Sequence, residues 1–260
     1  MKNTPLIEAA EKEFSQAGSS RREALSKAIR LGLKAAFIAL PLGLFEATQN
    51  KVFASPTSAV TDILNYALTL EYLENEFYAT GLGTSGLIPA SDQTVIAQIG
   101  KHEASHVTLL KTTIGQLGGT AVDKPEFDFT AGGAFADVFS NYTTFLALAN
   151  AFEDTGVRAY KGQAAALVGQ GDVLTAALNI HSVEARHASE VRRMRGLKGW
   201  ITNAEAGGLP AAIYAGEDNY LQAGVDVRTL TMAPATAITE CFDEPMAMTQ
   251  VLAIAGGFIK

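Results

Sequence analysis

Four stretches of this sequence place acidic and imidazole groups where helical spacing calls for apolar residues. Two of them carry a Glu-x-x-His motif, Glu103 with His106 and Glu184 with His187. Residues three apart share a helix face one turn above each other. Each motif sits in an apolar stripe: Ile96, Ile99, Glu103, His106, Leu110, Ile114 and Leu117 in one, and Val173, Ala177, Ile180, Glu184, His187, Val191 and Met194 in the other. The other two stretches carry lone glutamates, in Leu64, Ala67, Leu68, Glu71, Glu74, Tyr78 and in Tyr142, Phe145, Ala149, Glu153, Gly156, Tyr160. A buried carboxylate without a partner costs several kcal/mol. Two divalent cations supply four positive charges against the carboxylates of Glu71, Glu103, Glu153 and Glu184, and neutral His106 and His187 complete the set. With a single cysteine, Cys241, thiolate clusters are excluded, and Glu and His suit iron, manganese or zinc.

A lone Glu-x-x-His is weak evidence, since helices bring such pairs together regardless; two of them in matched registers on apolar faces are strong evidence. Glu74, one turn beyond Glu71, is a further ligand, a base behind the ligands, or an exposed neighbour, with the middle reading preferred. Tyr78 and Tyr160 read as core residues that can also hydrogen-bond a ligand. His102 and His181 fall off the stripes and are expected at the surface, and Asp154 and Glu190 are expected to be solvated or to lie behind the ligands. Arg192, Arg193 and Arg195 read as cations complementing a helix C-terminus.

The elements that position these groups are punctuated by glycine and proline. Helices are expected from about Ser58 to Thr80, from Ser91 to Gly118, from about Ala134 to Val168 and from Asp172 to near Gly196. The connections are about 10, 15 and 4 residues, the middle one long enough to run along a bundle. Glu71 precedes Tyr78 by seven residues, as Glu153 precedes Tyr160; Glu71 to His106 spans 35 residues and Glu153 to His187 spans 34. The two hairpins therefore read as copies of one unit. The expected fold is all-α: a four-helix bundle over residues 55–196 and a C-terminal extension over 197–260, with loops and a last helix from about Glu244 to Ile259.

Residues 1–54 differ in composition. Arg21-Arg22 with Lys27, Arg30 and Lys34 precede an apolar run from Ala35 to Phe45 and then Val52-Phe53-Ala54. That order reads as a twin-arginine export leader to the periplasm or cell envelope, although Ala24 stands where that signal usually has Phe. An amphipathic segment of a cytoplasmic protein is the alternative. A net charge of -7 gives no basic field for nucleic acid.

At these residues the sequence resembles the ferritin-like superfamily. The segments Leu64 to Glu74, Glu153 to Tyr160 and Phe242-Asp243-Glu244-Pro245 are similar to bacterial ferritin-like proteins related to desiccation-related proteins. The resemblance implies two metal ions, iron or manganese, with Glu103 and Glu184 bridging them and Glu71 and Glu153 terminal. It implies a stress context, with dioxygen, peroxide or Fe(II) as substrates in ferroxidase, peroxidase or manganese-catalase chemistry. A non-enzymatic envelope protein with structural metals is the second expectation, iron storage a weaker third, and a homo-oligomer is compatible with each.

Overall fold

The computed structural model describes residues 57–260, so the leader read over residues 1–54 lies outside the described residues. Six α-helices occur among the described residues: α1 (Thr57–Gly83), α2 (Gln93–Gln116), α3 (Tyr142–Ala164), α4 (Gly171–Met194), α5 (Ala235–Thr239) and α6 (Met248–Ala255). Helices α1 and α2 form one hairpin and α3 and α4 another. None of these helices is long and apolar enough to cross a membrane.

The helix ends follow from local chemistry. Both α2 and α4 stop at a glycine with left-handed backbone, Gly118 (φ 76) and Gly196 (φ 73). In each case the next amide reaches back to close the last turn, Gly119 N to Ile114 O at 2.9 Å and Leu197 N to Arg192 O at 3.0 Å. The third helix begins at Tyr142 instead of near Ala134. Residues 134–140 form only turns, and the extended backbone of Asn141 (φ -131, ψ 111) separates them from α3, which the Asn141 side chain caps by accepting from Thr143 N. It ends at Ala164, followed by a 3-10 turn over Ala165–Leu167. The connections consequently span residues 84–92, 117–141 and 165–170, with the middle one still longest.

That crossover is pinned at both faces. Phe129 packs on Phe77 with ring centroids 5.4 Å apart, and Phe77 stacks on Phe145 at 4.7 Å, so one end of the bundle is closed by aromatic rings. The crossover backbone also pairs with the C-terminus: Asp128 N donates to Phe258 O at 2.8 Å and Lys260 N to Glu126 O at 3.0 Å.

The extension is more structured than its loop-rich sequence suggests. It holds a two-stranded antiparallel hairpin, β1 (Leu221–Gln222) with β2 (Val225–Asp226), then α5, then α6, shorter than the helix expected over Glu244 to Ile259. Pro245 and the extended backbone of Ala247 delay the start of α6, and its end tightens into a 3-10 turn over Gly256–Phe258. The extension docks on α3 through one buried cation. Arg158 is 2% exposed; its Nε donates to Glu244 O at 2.9 Å, its Nη2 to Ala215 O at 2.8 Å and its Nη1 to Ile213 O, while Glu217 Oε1 lies 2.7 Å from Nε. Met246 N closes the contact by donating to Arg158 O at 3.0 Å. Gly162 is required here, because a Cβ at that position would lie 2.0 Å from Met246 O.

Candidate metal centre

All six predicted ligands point into one buried volume between α1, α2, α3 and α4. Glu71, Glu103, Glu153 and Glu184 are fully buried, and His106 and His187 nearly so. They fall into two overlapping groups, Glu71, Glu103, His106 and Glu184, and Glu103, Glu153, Glu184 and His187; within each, the candidate donor atoms lie within 4.8 Å of one another. Glu103 and Glu184 belong to both. His106 Nδ1 is 3.2 Å from an oxygen of each of Glu71, Glu103 and Glu184. His187 Nδ1 is 2.9 Å from Glu103 Oε1 and 3.3 Å from Glu153 Oε2.

Hydrogen bonding accounts for only part of this proximity, at His106 Nδ1 with Glu71 Oε2 and Glu103 Oε2. Glu103 Oε1, Glu153 Oε2, both oxygens of Glu184 and His187 Nδ1 are enclosed, yet none has a hydrogen-bond partner among the described residues. Buried polar atoms are almost always satisfied, so five orphans converging on one space fit a cation that accepts their lone pairs. With protein groups alone, protons carry the compensating charge. Burial pulls both imidazoles down, but the surrounding carboxylates outweigh it and lift His106 to about 12 and His187 to about 11. Burial pushes Glu71 up to about 8 and Glu184 well above the usual carboxylate range. Contacts with both histidines overcome burial at Glu103 and hold it at about 2.

The tyrosines are exchanged between hairpins. Tyr78 of α1 donates to Glu153 Oε1 of α3 at 2.5 Å, and Tyr160 of α3 donates to Glu71 Oε1 of α1 at 2.5 Å. Each fixes the rotamer of a terminal glutamate and leaves its second oxygen facing inward, so both are core residues that also steer a candidate ligand.

Such a doubled carboxylate and imidazole cluster inside four helices is specific enough to compare with known families. A family model for the ferritin-like domain matches residues 59–197. The chain belongs to the ferritin-like domain family. No curated protein matches it. The family match covers α1 to α4, so the extension docked by Arg158 is an addition to the ferritin-like bundle.

Around this cluster, Glu74 lies where the preferred expectation put it and other residues do not. Glu74 is buried at 3% exposure beside the site, as a fifth carboxylate. Burial, and then the charges of Glu184 and Glu153, push its pKa well above the usual range. Its room comes from Gly156 across the bundle, where a Cβ would meet Glu74 Oε1 at 3.3 Å and Glu184 Oε2 at 3.4 Å. His102 is not a free surface residue. Its ring stacks on His187 with centroids 5.1 Å apart, its Nδ1 lies 2.8 Å from His187 Nε2, and its Nε2 lies 2.7 Å from Gln98 Nε2. His181 is partly buried as well, whereas Glu190 is exposed as expected.

Asp154 is neither solvated nor directed at the cluster. One oxygen accepts from Arg192 Nη1 at 2.7 Å, Tyr214 Oη at 2.7 Å and Asn150 Nδ2 at 2.6 Å. Arg192 is thus a buried ion-pair partner, and Arg195 donates to Asn150 Oδ1 at 2.5 Å, so two of the three arginines brace α3 and the extension in addition to any effect on the helix dipole. Sequence reading missed Arg158, Asn150 and Tyr214 because nothing in their spacing shows what covers them. The only available signal was Arg158 itself, set between Val157 and Ala159 two residues from Gly156.

Proposed function

We propose that this chain is a di-metal carboxylate protein in which Glu71, Glu103, His106 and Glu184 hold one ion and Glu103, Glu153, Glu184 and His187 hold the other. The observation that carries the reading is the set of enclosed, unbonded lone pairs on Glu103, Glu153, Glu184 and His187. Glu103 and Glu184 belong to both groups, so two ions held there would be neighbours able to share two-electron chemistry. Iron or manganese bound there supplies two redox-active centres able to exchange electrons with dioxygen, peroxide or Fe(II).

The protein's own contributions are orientation and exclusion of water. Tyr78 and Tyr160 hold the terminal glutamates, and His102 holds the imidazole of His187 from behind. The closed aromatic end around Phe77 keeps bulk water from the cluster. A role in oxidative or desiccation stress, after export by the leader over residues 1–54, is the physiological setting we propose. Metal analysis of purified chain tests the central claim: close to two ions per chain are expected, and a metal-free protein with all six residues intact rejects it.

A second reading has its own support. Leu221, Val225, Leu230 and Met232, on and after the β-hairpin of the extension, are 59%, 45%, 71% and 101% exposed. Apolar side chains gathered in one exposed segment suit an interaction role in which the metals are structural pins. Oxygen-uptake and peroxide-loss assays on iron- and manganese-loaded protein separate the two, since a structural pin turns over neither.

A further inference from the structure

The candidate centre is enclosed unevenly. Helices α1 and α3 form one side of the bundle and α2 and α4 the opposite side. The extension covers the first. Ile254 and Ala255 of α6 wall the same narrow gap as Glu74 and Gly156, and Val251 and Ala255 are buried together with Tyr66 and Leu70 of α1 and Ala159 of α3. On the second side Gln98, Lys101, Ser105 and Arg186 stand exposed. The ligands follow the same gradient: the side chains of all four glutamates are fully enclosed, whereas those of His106 and His187 are 10% and 5% exposed.

His102 bridges this thin wall. Of the side chains that hydrogen-bond the candidate ligands from outside the set, Tyr78 and Tyr160 are buried and His102 is partly exposed. Its ring lies nearly parallel to that of His187, at 10°, and the two facing nitrogens meet at 2.8 Å. One hydrogen bond therefore joins a surface imidazole to an imidazole whose other nitrogen faces the centre. Electrons tunnel more readily along bonded and hydrogen-bonded atoms than across empty gaps.

The same wall is basic. Helix α2 exposes Lys101 and Lys111, and its single acid, Glu103, is buried inside the bundle. From α4 the exposed Arg186 adds a charge close enough to bear on His102, with the exposed Glu190 one turn further on. In a chain of net charge -7 such a patch draws an anionic surface and repels a free cation. Electron-transfer partners form small, transient, charge-steered contacts of this kind.

We propose that the α2–α4 face is the docking site for an acidic one-electron carrier protein and that His102 is the point at which its electrons enter. Each docking oxidises the carrier by one electron and reduces one metal ion by one, through His102 and His187, with no bond made or broken. Two dockings replace the two electrons that dioxygen takes in becoming peroxide, or peroxide in becoming water. Docking needs no metal, whereas the electron route rests on the di-metal reading above.

Flavodoxin, an acidic one-electron carrier, serves as the probe on the full chain. Calorimetry on the metal-free chain is expected to show flavodoxin binding that weakens as salt is added and falls at least about tenfold in the double variant Lys101→Glu, Arg186→Glu. In stopped flow, fully reduced flavodoxin is expected to reduce the oxidised, iron-loaded chain. His102→Leu, at full metal occupancy, is expected to slow that step severalfold while binding flavodoxin as before. A His102 that merely positions His187 would change metal occupancy and leave the rate at full occupancy alone. That result overturns the proposal, as does no flavodoxin binding by the wild-type chain, or binding indifferent to salt and to the charge reversals. A chain that binds flavodoxin through Lys101 and Arg186 but takes up no metal keeps the docking face and rejects the di-metal reading, and the electron route with it.

Discussion

The two hairpins of the bundle are built to one plan and furnished differently. Offsetting α1 onto α3 by 82 residues superposes Glu71 on Glu153 and Tyr78 on Tyr160, and offsetting α2 onto α4 by 81 superposes Glu103 on Glu184 and His106 on His187. Every candidate ligand has a counterpart. The surroundings do not. Glu74 corresponds to Gly156, His102 to Val183, Tyr72 to Asp154 and Glu76 to Arg158. At the first pair the difference is complementary, because the missing side chain of Gly156 leaves the space that Glu74 occupies. At the second, an imidazole backs His187, while α4 carries a valine at the corresponding position. At the last two, α3 turns charged residues toward the extension, whereas Tyr72 reaches only Val122 O at 3.4 Å and Glu76 pairs with Lys124 near the surface. A symmetric ligand set has thus been placed in an asymmetric setting, so the two metal positions are not expected to behave alike.

Breaking the symmetric part should have the largest effect. Glu184 serves both groups, so Glu184→Ala is expected to drop the metal content from two ions per chain to below one, while Glu71→Ala removes only the ion on the His106 side. Elemental analysis of the two variants side by side measures this, and equal losses would dissolve the distinction between shared and terminal glutamates.

The next largest effect belongs to the outer face. Arg158→Ala strands Glu217, whose side chain is fully buried, and is expected to cost about 3–5 kcal/mol by denaturant titration. Its counterpart Glu76, in a solvent-exposed pair with Lys124, should cost under about 1 kcal/mol when replaced by Ala. Similar losses at these matched positions would mean that the extension is not fastened through Arg158.

A smaller effect is expected behind the histidines. His102→Ala should weaken the ion on the His187 side by roughly 10- to 100-fold and leave the other unchanged, and His102→Gln should restore part of the loss by offering a hydrogen bond again. Competition titration with a chelator resolves two affinities; a uniform loss at both positions would contradict the asymmetry.

The last probe, pH, changes no residue. Because Glu71 is raised to about 8, His106 to about 12 and His187 to about 11, these groups hold protons at neutral pH that an incoming metal must displace. The sign follows directly: apparent affinity falls as pH is lowered, by about tenfold per pH unit for each proton displaced. Titrations at pH 8, 7 and 6 measure the slope, and a flat profile would show that protons do not hold the ligands' charge in balance.

The buried cluster of candidate ligands was legible in the sequence because it lies on four helices whose periodicity is strong, and a charged residue in mid-stripe stands out against apolar neighbours. Glu103, His106, Glu184 and His187 needed nothing beyond a spacing of three within one helix, and the repeat of Glu71 with Tyr78 in Glu153 with Tyr160 supplied the pairing. The bundle order was legible for the same reason, with the middle connection longest. Residues that work through a neighbour were not. His102 is one helix turn from His106 yet acts on His187 of α4, a relation set by the packing of two helices. Asp154 follows Glu153 directly and so points away from the cluster, and whether that face meets water or protein depends on the fold of residues 197–260. The start of α3 differs from the expected Ala134 because Asn141 takes an extended backbone between the turns over 134–140 and the helix, which its residue type does not announce.

By itself, then, the sequence determined which groups enter the bundle interior, since a helix of known period fixes the side chains of its own stripe relative to one another. Only the tertiary structure decided what stands behind them: the buried Glu74 in the space left by Gly156, the imidazole of His102 on His187, and the Arg158 and Asp154 anchors beneath the extension. Those relations join segments tens of residues apart, and their burial is a property of the surface that covers them, which no local pattern encodes.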